Sequence, residues 1–213
     1  MTADDVSGQR ATVILLAAGA STRMGAVKAL LPLEHGLPAV CQLADLYQRV
    51  CGGCLVVTGY HGDAIEEALA ERSGAHTIRN PHPERGQLSS LQCGIAALSL
   101  VPAPAPWFLF APVDCFDISE PLLRAVMGAI DTASPETLLC IPSHGERHGH
   151  PVAARWQLTE DFLNLDEGET ARTVIHRHRK NTVFVPIADA GLLTDYDTPD
   201  SYRRRMLRAE RDT

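Results

Sequence analysis

An uninterrupted apolar run near the start of the chain constrains the fold more than any other feature. Residues 12–18 read TVILLAA, without the alternation of polar and apolar side chains that a half-exposed strand shows. A strand of this kind is buried on both faces, as in a parallel sheet with helices on each side. The run therefore predicts a central strand of a layered α/β domain.

The rest of the chain alternates further apolar runs with amphipathic stretches, which is typical of βαβ units. More strands are predicted at residues 54–58, 77–80, 107–113, 138–142, 151–155 and 182–187. Helices are predicted at residues 38–50, 63–72, 89–100 and 120–130. A short arginine-rich helix is predicted after Thr198-Pro199-Asp200, which supplies an N-cap, a proline at the first helical position and an early acid.

The overall charge excludes one class of partner. The 213 residues carry a formal net charge of −7, and no long basic run precedes the C-terminal helix. A general nucleic-acid binder depends on many phosphate contacts, so we expect none here. The first residues lack the apolar core of a signal peptide, and no apolar stretch is long enough to cross a bilayer. We therefore expect no membrane contact and a cytoplasmic location.

The six cysteines are expected to be reduced, structural thiols in that compartment. Cys51 and Cys54 form one C-x-x-C pair, but no second pair follows at the spacing of a zinc site. A metal or redox role for this pair is the less favoured alternative.

A glycine-containing loop follows the first strand and carries two cations. Its sequence over residues 16–32 is LAAGASTRMGAVKALLP. Gly19 and Gly25 allow backbone N–H groups to approach a ligand closely, while Arg23 and Lys28 add positive charge. The loop matches neither a Walker A sequence nor a dinucleotide-binding fingerprint. These residues favour phosphate binding over an ordinary solvated turn.

Residues 16–28 resemble the L-A-A-G-x-S-x-R-M-G-x-x-K signature of the MobA-like nucleotidyltransferases, and they are most similar to the cytidylyltransferase branch. Other segments resemble further family motifs in the expected order: Thr58-Gly59, residues 80–91 (NPHPERGQLSSL), Val113-Asp114, Gly149-His150-Pro151 and residues 195–200 (DYDTPD). The resemblance runs from about residue 13 to residue 202. It implies a three-layer, Rossmann-like α/β domain with a mixed, mostly parallel sheet, of the nucleotide-diphosphosugar-transferase type.

The resemblance also implies a domain organisation. A single nucleotidyltransferase domain would span residues 11–205, with tails at residues 1–10 and 206–213. The nucleotide would bind to a first half, residues 11–117, and the acceptor to a second half, residues 118–205.

The activity implied is transfer of a nucleotide from a triphosphate, with CTP favoured, to an anionic acceptor with release of pyrophosphate. Arg23, Lys28 and Asp114 are the implied catalytic residues. The implied nucleotide site consists of Leu16, Ala17, Ala18, Gly19, Arg23, Lys28, Thr58, Asn80, Ser89 and Ser90.

Magnesium is the implied cofactor, because Mg²⁺ prefers carboxylate oxygens together with substrate phosphates. By resemblance, Asp114 is the main ligand. The second ligand is Asp195 or Asp197, with Asp195 favoured. Because the two residues are two positions apart, their side chains would point to the same side of an extended segment. From the residues alone, Asp114 can equally be a turn or capping aspartate, and Asp197 can support the turn before Thr198.

The acceptor half is less defined. His144, His148 and His150 match no standard zinc spacing, and the resemblance places His150 near the acceptor. The arginines of the last helix are interpreted as a solvated face. Molybdopterin is the acceptor implied, with a molybdoenzyme as a further partner.

The chain departs from the family pattern at two places near this half. Cys115-Phe116 replaces the usual glutamine and proline, and residues 167–172 (EGETAR) replace G-D-x-G-A-R. A sugar or polyol phosphate acceptor therefore stays open, as does a cofactor-binding module without turnover.

Overall fold

The computed structural model describes residues 10–72, 74–188 and 194–209. Its strands are β1 (Ala11–Ala17), β2 (Cys54–Thr58), β3 (Ala75–Arg79), β4 (Trp107–Pro112), β5 (Leu139–His144), β6 (Arg147–His148), β7 (Val152–Arg155) and β8 (Thr182–Pro186). Its α-helices are α1 (Ala39–Cys51), α2 (Gly62–Leu69), α3 (Gln87–Leu98), α4 (Glu120–Asp131), α5 (Thr159–Leu163), α6 (Ala171–Arg177) and α7 (Pro199–Ala209).

The eight strands form one mixed sheet in the order β3-β2-β1-β4-β7-β5-β6, with β8 paired to β5. Strand β1 is parallel to β2 and β4, and β2 is parallel to β3. Strand β7 is antiparallel to both β4 and β5, while β8 is parallel to β5. The sheet is therefore mixed and mostly parallel, as predicted for this α/β domain.

Alternate residues of β1 face two separate cores. Val13 and Leu15 pack in a cluster with α1, α2 and α4, whereas Ile14 and Leu16 pack in a second cluster with α3, α5 and α6. Every residue of β1 is buried, as the apolar run predicts. This arrangement gives three layers and leaves the ends of the central strands open for a ligand.

The sequence pattern missed three short elements. Strand β6 has two residues and closes a hairpin on β5 around Gly145. Helices α5 and α6 have five and seven residues, which is too short for a 3.6-residue period to stand out. Helix α3 begins at Gln87, two residues before the predicted start.

The last helix begins as predicted, since the backbone N–H of Ser201 donates to Oγ1 of Thr198 at 3.3 Å. Helix α7 continues to Ala209, into the predicted C-terminal tail. The remaining tail residues, 1–9 and 210–213, lie outside the described residues. The structure leaves the two functional halves as a prediction.

Two further predictions concern the chain as a whole. All six cysteines are described and none forms a disulfide. Cys51 and Cys54 are buried, and burial raises the pKa of Cys51 to about 12, so these thiols stay protonated and pack in the core. Over the described residues, no helix has both the length and the apolar character needed to span a bilayer.

Candidate functional site

A pocket of about 400 Å³ opens at the carboxyl ends of β1 and β4. The glycine loop, Lys28 and Asp114 line one part of it, and Tyr60 with the start of α3 lines another. Leu16, Ala17, Ala18 and Gly19 all belong to this lining, as does Ser90. The position agrees with the general rule that ligands of open α/β sheets bind beyond the carboxyl ends of the strands.

Local backbone geometry turns the loop back over the sheet. Ser21 adopts a φ of 54° and Gly25 a φ of 69°, conformations that are rare for residues with side chains. The Ser21 hydroxyl accepts a hydrogen bond from the backbone N–H of Lys28 at 3.1 Å. Met24, between these residues, is buried and fastens the loop to the protein. The loop therefore delivers both predicted cations to the same side of the pocket.

Glycine is required where β2 ends beside this loop. A Cβ atom on Gly59 would lie 2.6 Å from the carbonyl oxygen of Ala18 and 2.9 Å from the side chain of Pro83. The next residue, Tyr60, donates its backbone N–H to the same Ala18 carbonyl at 3.3 Å. Thr58-Gly59 thus brings β2, the glycine loop and the segment before α3 into contact.

A compact charge cluster lies at the other end of the pocket. Nζ of Lys28 is 2.7 Å from Oδ2 of Asp114, and it also bonds to Oδ1 of Asp197. The guanidinium of Arg23 lies 3.0 Å from the second oxygen of Asp197. Lys28 and Asp114 are largely buried, whereas the side chain of Arg23 is 71% exposed. Arg23 is therefore the cation that solvent and ligands reach more easily.

Burial and these contacts raise the pKa values of Asp114 and Lys28 and lower that of Asp197. Burial raises the pKa of Asp114, and the hydrogen bond from Lys28 only partly opposes that effect. Burial alone would lower the pKa of Lys28, but its hydrogen bonds and ion pairs with Asp114 and Asp197 together raise it. The hydrogen bond from Lys28 lowers the pKa of Asp197. The cluster therefore favours the charged forms of Lys28 and Asp197, whereas burial opposes ionisation of Asp114.

A second set of groups has the spacing of a metal site. One ligand atom from each of Asp114, Cys115 and Asp195 lies within 4.8 Å of the others. The Cys115 thiol donates to Oδ1 of Asp195 at 3.1 Å, and burial raises the pKa of this thiol well above its usual range. A protonated thiol is a poor ligand, so the pair of carboxylates is what fits an oxygen-seeking cation such as Mg²⁺.

Asn80, Ser89 and Ser90 come together, as their shared motif suggests, but they bond to one another and to backbone groups of His82 and Gly86. The buried Nδ2 of Asn80 donates to the Ser89 hydroxyl at 2.9 Å and to the Ser90 hydroxyl at 3.0 Å. Its Oδ1 accepts from the backbone N–H of His82 at 2.9 Å. Of the three, Ser90 lines the pocket, whereas Asn80 holds the start of α3 against the end of β3.

Thr58 lies behind the pocket surface. Its side chain is fully buried and its hydroxyl donates to Oε1 of Glu66 at 3.1 Å. The lining includes Tyr60, Pro83, Glu84 and Gln87, which the sequence analysis did not select. Tyr60 follows Thr58-Gly59, and the other three lie within the segment 80–91, so the motifs did mark their neighbourhood.

His150 lies apart from the other two histidines of its segment. Its ring meets Phe110 edge-on with centroids 6.3 Å apart, at the end of β4. Burial lowers the pKa of His150, against the opposing charges of Asp195 and Asp114. His144 instead bonds to the Ile187 carbonyl at 2.9 Å, and His148 stacks on Phe184. The described part of the chain therefore holds no histidine cluster for zinc in this segment.

The two segments that depart from the family pattern lie in different parts of the structure. Cys115 and Phe116 are both buried, and Phe116 stacks on Tyr196 at a centroid distance of 5.5 Å. These residues pack inside the protein and do not line the pocket. Residues 167–172 lead into α6, and the charge of Arg172 contributes to lowering the pKa of His150.

The interpretation of the arginines of the last helix as a solvated face is wrong for one of them. Arg205 is only 5% exposed and bonds to Asp117, Glu34 and the Phe116 carbonyl, so it is not part of a solvated face. Arg208 also pairs with Asp117. Arg203 and Arg204 are exposed, as expected. Charge composition alone does not distinguish an arginine that pairs inside the protein from one in water.

Comparison with known proteins identifies the family and relatives that this chain resembles. A family model described as the MobA-like NTP transferase domain matches residues 13–182. The molybdenum cofactor cytidylyltransferase of Escherichia coli K12 is 24% identical over 189 residues, which cover 89% of this chain and 92% of that protein.

Two solved structures share the fold with a TM-score of 0.78 and 22% identity each. One is Rv0371c from Mycobacterium tuberculosis H37Rv, with 93% of this chain and 98% of that chain covered. The other is Mth528, a nucleotidyl transferase from Methanothermobacter, with 97% and 100% covered. Rv0371c has also been solved as a complex with manganese.

Proposed function

The chain belongs to the MobA-like NTP transferase family and is a nucleotidyltransferase, and from that premise we propose that it transfers CMP from CTP to molybdopterin. One observation carries the proposal: the glycine loop brings Arg23 and Lys28 to the same pocket edge as Asp114. A triphosphate needs cations, and a divalent metal needs carboxylates. Arg23, Lys28 and the carboxylate of Asp114 line one cavity.

We assign the triphosphate to the end of the pocket formed by the glycine loop, Arg23 and Lys28. An oxygen of the acceptor phosphate attacks the α-phosphorus, and the bond from that phosphorus to the β-phosphate oxygen breaks, releasing pyrophosphate. Negative charge grows on the departing group, where Arg23 and Lys28 offset it. Catalysis then depends on positioning and on charge stabilisation rather than on a covalent intermediate.

Asp114 and Asp195 are the proposed ligands of Mg²⁺. Their spacing and the protonated state of Cys115 suit a hard cation that also contacts phosphate. The cation supplies charge neutralisation and orientation of the phosphates when bound. Asp197 has another role in this proposal: it pairs with both Arg23 and Lys28 and so orients the two cations.

The base is assigned to the opposite end of the pocket, between Ala18, Tyr60 and the start of α3. Backbone groups of residues 16–19 and the Ser90 hydroxyl supply donors and acceptors there. Asn80 and Ser89 hold the start of α3 in place, and Thr58 supports the end of β2. The preference for CTP is supported mainly by the cytidylyltransferase relative.

The acceptor is assigned to the side of His150. We include residues 167–172 on this side because the charge of Arg172 contributes to lowering the pKa of His150. Because this segment departs from the family pattern, a sugar or polyol phosphate is the second candidate acceptor. Transfer to molybdopterin would supply a molybdoenzyme with its dinucleotide cofactor.

The test is release of pyrophosphate from CTP, GTP, ATP and UTP with Mg²⁺, each with and without an acceptor. We expect turnover with CTP and molybdopterin, and competition by GTP only at large excess. A clear preference for GTP would assign the chain to guanylyl transfer. Turnover only with a sugar or polyol phosphate would favour the second acceptor, and no turnover with any acceptor would leave a binding module.

A further inference from the structure

The two aspartates Asp195 and Asp197 lie in a segment, residues 194–198, that forms neither helix nor strand. Sheet hydrogen bonds therefore do not fix their distance from Asp114. Metal sites require ligands held within about half an ångström of their proper positions. Some other contact must hold the segment against the end of β4.

The residue between the two aspartates makes that contact. The backbone N–H of Tyr196 donates to the carbonyl of Asp114 at 3.1 Å. The carboxylate of Asp195 contacts Cys115, and that of Asp197 contacts Lys28 and Arg23. Tyr196 instead buries its ring, leaving 5% exposed, in a small cluster with Leu33, Ala39 and Phe116. The segment thus places one carboxylate beside Asp114 and the other beside Lys28 and Arg23, while the aromatic ring between them faces the interior.

The ring is fixed at both its face and its hydroxyl. It stacks on Phe116 with an interplanar angle of 9° and a centroid distance of 5.5 Å. Its hydroxyl donates to Oδ2 of Asp117. Since Phe116 and Asp117 follow Asp114 and Cys115 directly, both contacts join the aspartate segment to the loop that carries the proposed main metal ligand.

Asp117 is in turn held by α7. Nε of Arg205 donates to Oδ1 of Asp117 at 2.8 Å, and Arg208 pairs with Oδ2. Arg205 also donates to the Phe116 carbonyl at 3.1 Å. Arg208 reaches the Tyr196 hydroxyl at 3.1 Å. Two buried or half-buried cations therefore keep the Asp117 carboxylate in the position where it receives the tyrosine.

We infer that Tyr196 is a positioning residue that sets the separation of Asp195 from Asp114 and thereby the affinity for the divalent metal. The inference rests on the proposed function, since it takes both carboxylates as metal ligands. Contacts behind a ligand commonly change metal affinity 10- to 100-fold when they are removed. Tyr196 acts through Asp195 and does not itself touch the substrate.

The test compares Tyr196→Phe, which keeps the ring and loses the hydroxyl, with Tyr196→Leu, which also loses the stack. We expect the dissociation constant for Mn²⁺, measured by electron paramagnetic resonance of the free ion, to rise about 3- to 10-fold in the first and about 10- to 100-fold in the second. Turnover of Tyr196→Phe should recover at high Mn²⁺. The phenylalanine variant keeps the core packing and decides the inference if the leucine variant does not fold.

Tyr202→Phe is the matched control. Tyr202 packs edge-on against the same Phe116 and donates its hydroxyl to the Pro32 carbonyl, but it does not lie between the aspartates. Loss of the Tyr202 hydroxyl should lower the melting temperature without changing the affinity for Mn²⁺. If wild type binds Mn²⁺ and turns over, and the Tyr196 variants bind Mn²⁺ with the same affinity, the inference about Tyr196 is overturned while the proposed function stands. A wild-type protein that neither binds Mn²⁺ nor releases pyrophosphate would overturn the proposed function as well.

Discussion

The ammonium of Lys28 lies 2.7 Å from Oδ2 of Asp114 and also bonds to Asp197, so one cation joins two carboxylates at the edge of the protein's pocket. A divalent metal bound to Asp114 would meet this positive charge directly. A triphosphate offers Lys28 a third anionic partner. Nucleotide binding and metal binding are therefore expected to be coupled, because the phosphates compete with the carboxylates for the same lysine.

Lys28→Met should tighten metal binding to the free protein and weaken nucleotide binding. Removal of one positive charge beside Asp114 is expected to increase the affinity for Mn²⁺ about tenfold, while turnover with CTP falls. Titration of Mn²⁺ without nucleotide measures the first effect. Lys180, the chain's other lysine, is exposed, and Lys180→Met is the control. An unchanged affinity for Mn²⁺ in Lys28→Met would show that the two cations do not compete.

Asp114→Asn should retain the fold and lose most of the turnover. The change keeps the size of the side chain, and Lys28 keeps Asp197 as a partner. Loss of a metal-binding carboxylate is expected to lower the rate of pyrophosphate release at least 100-fold at ordinary Mg²⁺. Asp63→Asn is the control, since Asp63 is 94% exposed and pairs with Arg79 away from the pocket. Normal activity in Asp114→Asn would remove Asp114 from the metal site.

Arg23→Ala should affect nucleotide binding far more than stability. The Arg23–Asp197 pair is largely exposed, and such pairs contribute about 0–1 kcal/mol to folding. A charge-assisted contact to phosphate is worth about 1.5–3 kcal/mol, or roughly 10- to 150-fold in affinity or rate. Calorimetric titration with CTP, beside a thermal melt, separates the two quantities. Arg124→Ala, which breaks an exposed helix pair, serves as the comparison. Equal CTP affinity in both variants would make the loop structural.

The sequence predicted the elements that have a strong local signal. The apolar run of β1 and the 3.6-residue period of α1 reflect burial of whole faces, and both appear within one residue of the predicted bounds. The glycine loop was selected because its residue types suit phosphate binding, and the structure brings its Arg23 and Lys28 into one pocket. The resemblance implied only that Asp114 and Asp197 belong to the same site as the loop, and the ion pairs themselves were not predicted, since these residues are 86 and 169 positions away from Lys28.

Side-chain partners were the part that the pattern did not reveal. Nothing in a single sequence tells that Asn80 satisfies its amide inside the protein, or that Arg205 is buried beside Asp117 while its neighbours face water. Tyr196 also escaped notice, because an aromatic residue between two aspartates has no periodic signal. Such roles depend on which distant residues the tertiary fold brings within hydrogen-bonding distance.

His150 gives the last prediction, which concerns pH. Burial lowers its pKa below the usual 6.5, so the folded protein resists protonation where the unfolded chain accepts a proton. The unfolded state then binds more protons as the pH falls below about 6.5, and the free energy of unfolding decreases over that window. Replacement by glutamine removes the titrating group and should remove this part of the pH dependence.

Wild type should therefore lose more stability than His150→Gln as the pH falls. For one titrating group, the free energy of unfolding changes by at most about 1.4 kcal/mol per pH unit. Between pH 7.5 and 5.5, wild type should therefore lose about 1 kcal/mol of unfolding free energy relative to His150→Gln. This corresponds to roughly 2–4 °C in melting temperature. Thermal melts of both proteins across this range measure it, and an NMR titration of the imidazole should show a midpoint below 6.5. Melting temperatures that fall in parallel would contradict the shift. A neutral His150 at pH 7 also means that it meets an anionic acceptor through hydrogen bonding, so His150→Gln should keep more turnover than His150→Ala.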